Sequence, residues 1–295
     1  MSRPLDWVDA FAERPFAGNA CAVVHDAGEL APETRMALVR ETSLSECAFV
    51  VPSETADFGA RYYLADREIP MAGHPTVATA VSLVHRGAVD VSSGRASFTL
   101  ELPAGVLPIE VTAEGGRITV RMIQPRPEFL EPQDPAEIAA VFGLSAEDVE
   151  GVPRIVSTGN PFCVTLLRSP GALRRARLDP ERLQAWRAGT GLPAAALMEP
   201  FLSVIGGEAG CDVFSRLLLP PPLPAEDPFT GSATGSLAAY LSAEGRLGPR
   251  FVAGQGDWMG RPGRAEVEVI GPAAAPEGIA VAGAGVVLMS GELRV

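Results

Sequence analysis

The sequence predicts an α+β protein of two related halves, each a curved, mostly antiparallel sheet or barrel around one apolar helix. Three observations carry this. Short β-branched or aromatic runs bounded by Gly, Pro or Asp outnumber the helical stretches. Two helical stretches, 76–85 and 234–243, are apolar or small nearly all round, as helices enclosed by protein are. Those two stretches also repeat one another. Gly73-His74-Pro75-Thr76 with Ala80 and Gly87 matches Gly231-Ser232-Ala233-Thr234 with Ala238 and Gly245, each pair 158 residues apart. Upstream, Gly18-Asn19-Ala20 resembles Gly159-Asn160-Pro161 at a spacing of 141.

Strands are expected over 5–8, 20–24, 47–51, 61–64, 97–102, 106–111 and 117–122, and again over 154–156, 162–167, 202–205, 213–218, 265–270 and 286–289. Helices are expected over 32–41, 75–86, 135–142, 180–188 and 233–244. Four of these five begin with proline, which suits a first helical turn because the missing N–H has no partner there. The Pro-rich stretch 124–135 reads as a linker. It divides the chain into halves 1–123 and 124–283, with 284–295 as a candidate return strand of the first half.

Composition narrows the function classes. The 295 residues carry 24 basic and 36 acidic side chains, a net charge of −12, which disfavours a nucleic-acid backbone as partner. There is no lysine, so Schiff-base and P-loop lysine chemistry is excluded. No apolar run of about 18 residues exists and the first residues lack a secretory apolar region, so a cytoplasmic protein without membrane contact is expected. Cys21, Cys47, Cys163 and Cys211 lack metal-ligand spacing and read as buried free thiols. With three histidines, no paired cysteines and no nucleotide fingerprint, neither a metal nor an organic cofactor is expected.

Three segments are candidates for chemistry. In Arg67-Glu68-Ile69-Pro70-Met71-Ala72-Gly73-His74-Pro75-Thr76, a glycine opens a helix whose first-turn N–H groups and dipole would suit a carboxylate. The plain alternative is a loop-to-helix junction with His74 as a cap. Glu226-Asp227-Pro228-Phe229-Thr230-Gly231-Ser232-Ala233-Thr234-Gly235 has the same design, and its plain alternative is a helix capped by Ser232 or Thr234. In Ser43-Leu44-Ser45-Glu46-Cys47-Ala48-Phe49-Val50, Glu46 stands at the mouth of an apolar strand. It reads either as a solvated strand-start residue or as a carboxylate whose burial raises its pKa and makes it an acid/base. The repeat sets Leu192-Pro193-Ala194-Ala195 against Leu44-Ser45-Glu46-Cys47, so only one half would carry the acid. Two glycine-led helix starts in a duplicated chain would converge on one small anion.

Together these segments resemble the PhzF-like family of phenazine biosynthesis, within the diaminopimelate-epimerase-like superfamily. The resemblance begins at Val8-Asp9-Ala10-Phe11 and Arg14-Pro15-Phe16-Ala17-Gly18-Asn19. It runs through the three segments above, through Gln255-Gly256 and Gly260-Arg261-Pro262-Gly263, and ends at Gly291-Glu292-Leu293, covering nearly the whole chain. It implies a diaminopimelate-epimerase-like fold with a cleft between the halves, a cofactor-free homodimer, and isomerisation of a dihydro-3-hydroxyanthranilate by moving a proton. By matching position, Glu46 would carry the proton. His74, Asp227 and Ser232 would orient substrate and assist. Gly73 and Gly231 would supply backbone donors, with Pro75 and Ala233 beside them.

One departure from the superfamily defines the subclass. Its racemases and epimerases use two thiols, one just before Gly-His and one in the second helix's first turn. Here the first position is Ala72, and Gly231-Ser232-Ala233-Thr234-Gly235 has no cysteine, so two-thiol racemisation is not expected. A serine hydrolase lacks its Gly-x-Ser-x-Gly elbow and a Rossmann oxidoreductase its Gly-x-Gly-x-x-Gly. The alternative from another class is a non-catalytic protein that binds a small metabolite on the same fold.

Overall fold

The computed structural model describes residues 2–295 except 194–196, 209 and 222. The chain forms two compact units: Met1–Ile123 with Trp258–Ala265 and Val281–Val295, and Gln124–Asp257 with Glu266–Ala280.

The first unit contains β1 (Ser2–Ala10), β2 (Asn19–Val24), α1 (Pro32–Thr42), β3 (Cys47–Val51), β4 (Phe58–Tyr63), β5 (Glu68–Ile69), α2 (Gly73–His85), β6 (Arg95–Leu102), β7 (Gly105–Glu114) and β8 (Arg117–Gln124). The second holds β9 (Glu128–Pro132), α3 (Pro135–Val141), β10 (Val149–Ser157), β11 (Pro161–Leu167), α4 (Pro170–Arg175), α5 (Pro180–Gly189), β12 (Phe201–Ile205), β13 (Val213–Leu218), β14 (Glu226–Asp227), α6 (Gly231–Ala243) and β15 (Arg250–Gln255). Two last strands, β16 (Gly263–Ile270) and β17 (Gly278–Arg294), have residues in both units.

In the first unit the strands close a barrel in the order β17-β1-β2-β3-β4-β6-β7-β8, with β8 pairing back to β17. The pairs β2–β3 and β4–β6 are parallel, whereas β1–β2, β1–β17, β3–β4, β6–β7 and β7–β8 are antiparallel. Helix α2 is buried from Gly73 to Leu83, and its small and β-branched side chains let it fill the barrel. Its far end is tied to the wall. Ser82 donates to Asp6 Oδ2 at 2.6 Å, and Arg86 grips the same carboxylate through Nε and Nη2 at 2.7 and 2.8 Å. Outside, α1 lays Arg35 over the rings of Phe49 and Tyr63, at 5.5 and 5.4 Å.

The second unit repeats this topology. Strands β10–β11, β12–β13 and β13–β14 pair antiparallel, while β11–β12 and β13–β15 are parallel. Helix α6, the counterpart of α2, is buried from Gly231 to Ser242.

Several sequence expectations need correction. The stretch 124–135 is no linker: it contains β9, which pairs with β10. The final strand is 17 residues long, because glycines interrupt its apolar run without interrupting its pairing. Cys21, Cys47 and Cys163 are buried free thiols, but Cys211 is only half-buried. Among the described residues no helix is long and apolar enough to cross a membrane.

Candidate active site

In the first unit, α1 ends at Ser43, whose left-handed conformation (φ 55°) turns the chain sharply into Leu44-Ser45-Glu46 and then β3. Glu46 therefore stands at the strand mouth with 15% of its side chain exposed, and its Oε2 lies 3.7 Å from Nε2 of His74. It is not a solvated strand-start residue. His74 is the second residue of α2 and its side chain is 4% exposed. Its other nitrogen, Nδ1, lies 3.1 Å from Nδ2 of Asn19, within hydrogen-bond distance. Burial pushes the imidazole pKa down to about 3, so His74 is neutral at physiological pH. Its Nε2 is buried without a hydrogen-bond partner among the described residues.

Asn19 is held by a brace of its own. Gly18, just before it, has φ +56°, and a Cβ there would lie 2.1 Å from the carbonyl oxygen of Ala10, so only glycine fits this corner. Arg261 donates through Nε to Gly18 O at 2.8 Å and through Nη2 to Asp9 Oδ1 at 2.7 Å. The second oxygen of the fully buried Asp9 accepts from the backbone N–H of Phe16 at 2.8 Å.

In the second unit, Asp227 lies on the short β14, opposite Leu217, and is buried. Its Oδ2 accepts from the Thr230 hydroxyl at 2.6 Å. Gln255, at the end of β15, clamps this turn: its Oε1 accepts from Thr230 N at 3.0 Å and its Nε2 donates to Asp227 O at 2.6 Å. Helix α6 starts directly after, with Gly231, Ser232 and Ala233 all buried. Gln124 donates to Gly231 O at 2.9 Å and accepts from the Thr158 hydroxyl at 2.6 Å.

The two central helices share an unusual start. Neither Ala72 before α2 nor Thr230 before α6 makes a side-chain cap hydrogen bond. Asp134, Ser169 and Asp179 do cap α3, α4 and α5. His74 is therefore not a cap, and neither Ser232 nor Thr234 occupies the cap position. Thr76 and Thr234 instead bond back to the carbonyls of Ala72 and Thr230, at 2.7 and 3.0 Å. Each start thus keeps N–H donors and a positive dipole end that no side chain of a cap neutralises. Gly73 and Pro75 belong to the first of these turns, and Gly231 and Ala233 to the second.

The expected asymmetry between halves is corrected by strand register. Ala194 and Ala195, set against Glu46 and Cys47 by the repeat, lie outside the described residues. Counting from Gly18 and Gly159 through the parallel pairs Ala22–Cys47 and Val164–Phe201 brings Glu199 level with Glu46. The second half therefore has an acid at this position. It differs in its partner: Glu199 Oε1 lies 3.0 Å from Nη2 of Arg187, both nearly buried. Glu46 faces a neutral imidazole where Glu199 faces a guanidinium.

Sequence reasoning noted Asn19, Arg261 and Gln255 in motifs without giving them roles, and missed Gln124 and Thr158. The repeated Gly-Asn pair was a usable signal for Asn19. Gln124 gave none, because its partners are 34 and 107 residues away.

The model of the family described as "Phenazine biosynthesis-like protein" (PhzC-PhzF) matches residues 8–291. A trans-2,3-dihydro-3-hydroxyanthranilate isomerase of Pseudomonas aeruginosa is 31% identical over 293 residues, 96% of each chain. The structure of a predicted epimerase from Pseudomonas aeruginosa superposes with a TM-score of 0.84 at 31% identity over 99% of both chains. A probable proline racemase from Agrobacterium radiobacter shares the fold, with a TM-score of 0.70 at 16% identity over 99% of this chain and 93% of that one. The architecture is the diaminopimelate-epimerase-like one.

Proposed function

Because the chain belongs to the PhzC-PhzF phenazine biosynthesis-like family, we propose that it is a cofactor-independent isomerase moving a proton within a small unsaturated carboxylate, with Glu46 as the acid/base. The observation that carries this is Glu46 Oε2 at 3.7 Å from the buried, neutral His74, at the uncapped start of the barrel's central helix. A trans-2,3-dihydro-3-hydroxyanthranilate-like compound is the substrate class, on the strength of the relative that carries this name.

In this reading the Glu46 carboxylate takes a proton from an sp³ carbon of the substrate. The electron pair left behind spreads through the conjugated system toward the substrate's carboxylate. The N–H groups at the start of α2, with Gly73 giving the approach, stabilise that charge. The protonated Glu46 then returns its proton to another carbon, so the net change is a moved hydrogen and a moved double bond. His74, neutral beside Glu46, orients the substrate. A thiol route has no support: burial pushes Cys47 and Cys163 up to about 12 and Cys21 well above its ordinary value, so these stay protonated.

The test is turnover of trans-2,3-dihydro-3-hydroxyanthranilate in deuterated water by the wild type and by Glu46→Gln, which keeps the shape and removes the basicity. The wild type should isomerise it, and the variant should lose at least ~10²-fold in kcat with little change in binding. A fully active Gln variant would sink the reading. Binding without isomerisation or exchange would leave a metabolite-binding protein.

A further inference from the structure

We propose that Asn19 is a positioning residue that fixes His74 as the Nε2–H tautomer, so that the imidazole presents a hydrogen-bond donor beside Glu46. This rests on the reading of Glu46 and His74 as site residues, and it assigns the proton that reading leaves open.

Two contacts on opposite sides of the ring agree. On one side Asn19 Nδ2, a group that can only donate, lies 3.1 Å from Nδ1, so Nδ1 must offer its lone pair. On the other, Oε2 of Glu46 lies 3.7 Å from Nε2. A bare Nε2 lone pair there would face a carboxylate oxygen, lone pair against lone pair. A hydrogen on Nε2 removes the repulsion and leaves a donor with no acceptor within hydrogen-bond distance among the described residues. The ring holds one proton, because its burial disfavours the imidazolium.

The brace behind Asn19 explains how the choice is enforced. Asp9, Arg261 and the glycine corner at Gly18 hold the backbone that carries Asn19. Asn19 itself is buried, with its backbone in register opposite Ala10. A tautomer is set by the hydrogen bond at the ring's other nitrogen. The consequence is directional. His74 donates to an oxygen of the substrate and accepts nothing from it, leaving proton abstraction to Glu46 alone.

The experiment is ¹⁵N NMR of histidine-labelled protein without substrate, with the His74 signals identified by their loss in His74→Gln. At pH 7 the wild type should show a protonated Nε2 and a bare Nδ1. A protonated Nδ1 overturns the proposal, whatever Glu46→Gln does in turnover. Conversely, a fully active Glu46→Gln leaves this spectrum untouched, so the two failures are distinct. Asn19→Asp, which can only accept while ionised, should move the proton to Nδ1 and lower kcat by at least ~10²-fold, with a smaller effect on KM. A His74 that keeps its proton on Nε2 in this variant, or a kcat within about threefold of wild type after the swap, overturns it. If that variant does not fold, Asn19→Ala removes the donor without adding charge. It should give a mixture of tautomers, and an unchanged spectrum overturns the proposal.

Discussion

His74 couples the site to pH through stability as well as chemistry. Its folded pKa lies near 3 and an unfolded histidine titrates near 6.5. Between those values the unfolded chain binds the extra proton, so stability rises with pH. The contribution is present in full above pH 6.5 and is lost as pH falls below it. His25 is also lowered, by burial first and then by Arg86, and acts in the same direction. Urea titrations between pH 6.5 and 5 should therefore show a steeper fall in stability for the wild type than for His74→Gln. The difference should approach about one proton taken up on unfolding at pH 5. Parallel slopes would mean that His74 is charged in the folded protein.

At the scale of elements, the start of α6 depends on a contact between parts of the chain that sequence proximity does not link. A Cβ on Gly235 would lie 1.9 Å from Gln124 Oε1. The Gln124 amide is tied to Gly231 O and to Thr158, so it cannot swing aside without leaving buried polar atoms unpaired. Gly235→Ala, which raises helix propensity, should nevertheless destabilise by ~1–3 kcal/mol in urea unfolding. A neutral or stabilised variant would show that Gln124 is not held. Helices with strong local patterns were legible: α2 and α6 were expected within two residues of their observed bounds, and β3 and β13 match at both ends. Elements defined by distant partners were not. Two-residue β5 and β14 are too short to show a period, β9 is masked by flanking prolines, and Gly254 interrupts β15. Glu46, His74, Asp227 and Ser232 could be singled out because glycine-led helix starts and an acid before an apolar strand are local features. The brace of Asp9 and Arg261 is not local, since its ends lie 252 residues apart.

Across the whole molecule, two units of one topology have given the same position opposite uses. By strand register Glu46 precedes β3 as Glu199 precedes β12, but Glu46 stands beside a neutral ring while Glu199 is paired with Arg187. Glu199 has its carboxylate taken up by an ion pair with Arg187, whereas Glu46 faces an uncharged ring. The two should therefore separate stability from activity. Glu199→Gln removes the partner of an arginine whose side chain is only 17% exposed. It should cost about 3 kcal/mol, the low end for breaking a buried pair because Arg187 keeps some access to water. Turnover of the folded fraction should change little. Glu46→Gln should do the reverse, losing at least ~10²-fold in kcat while its urea midpoint stays within a few tenths of a molar, since the His74 ring beside it is neutral. Both measurements use the same two assays on the same two proteins. If Glu199→Gln abolished turnover at unchanged stability, the second unit's acid would be part of the chemistry, and assigning proton transfer to Glu46 alone would be wrong.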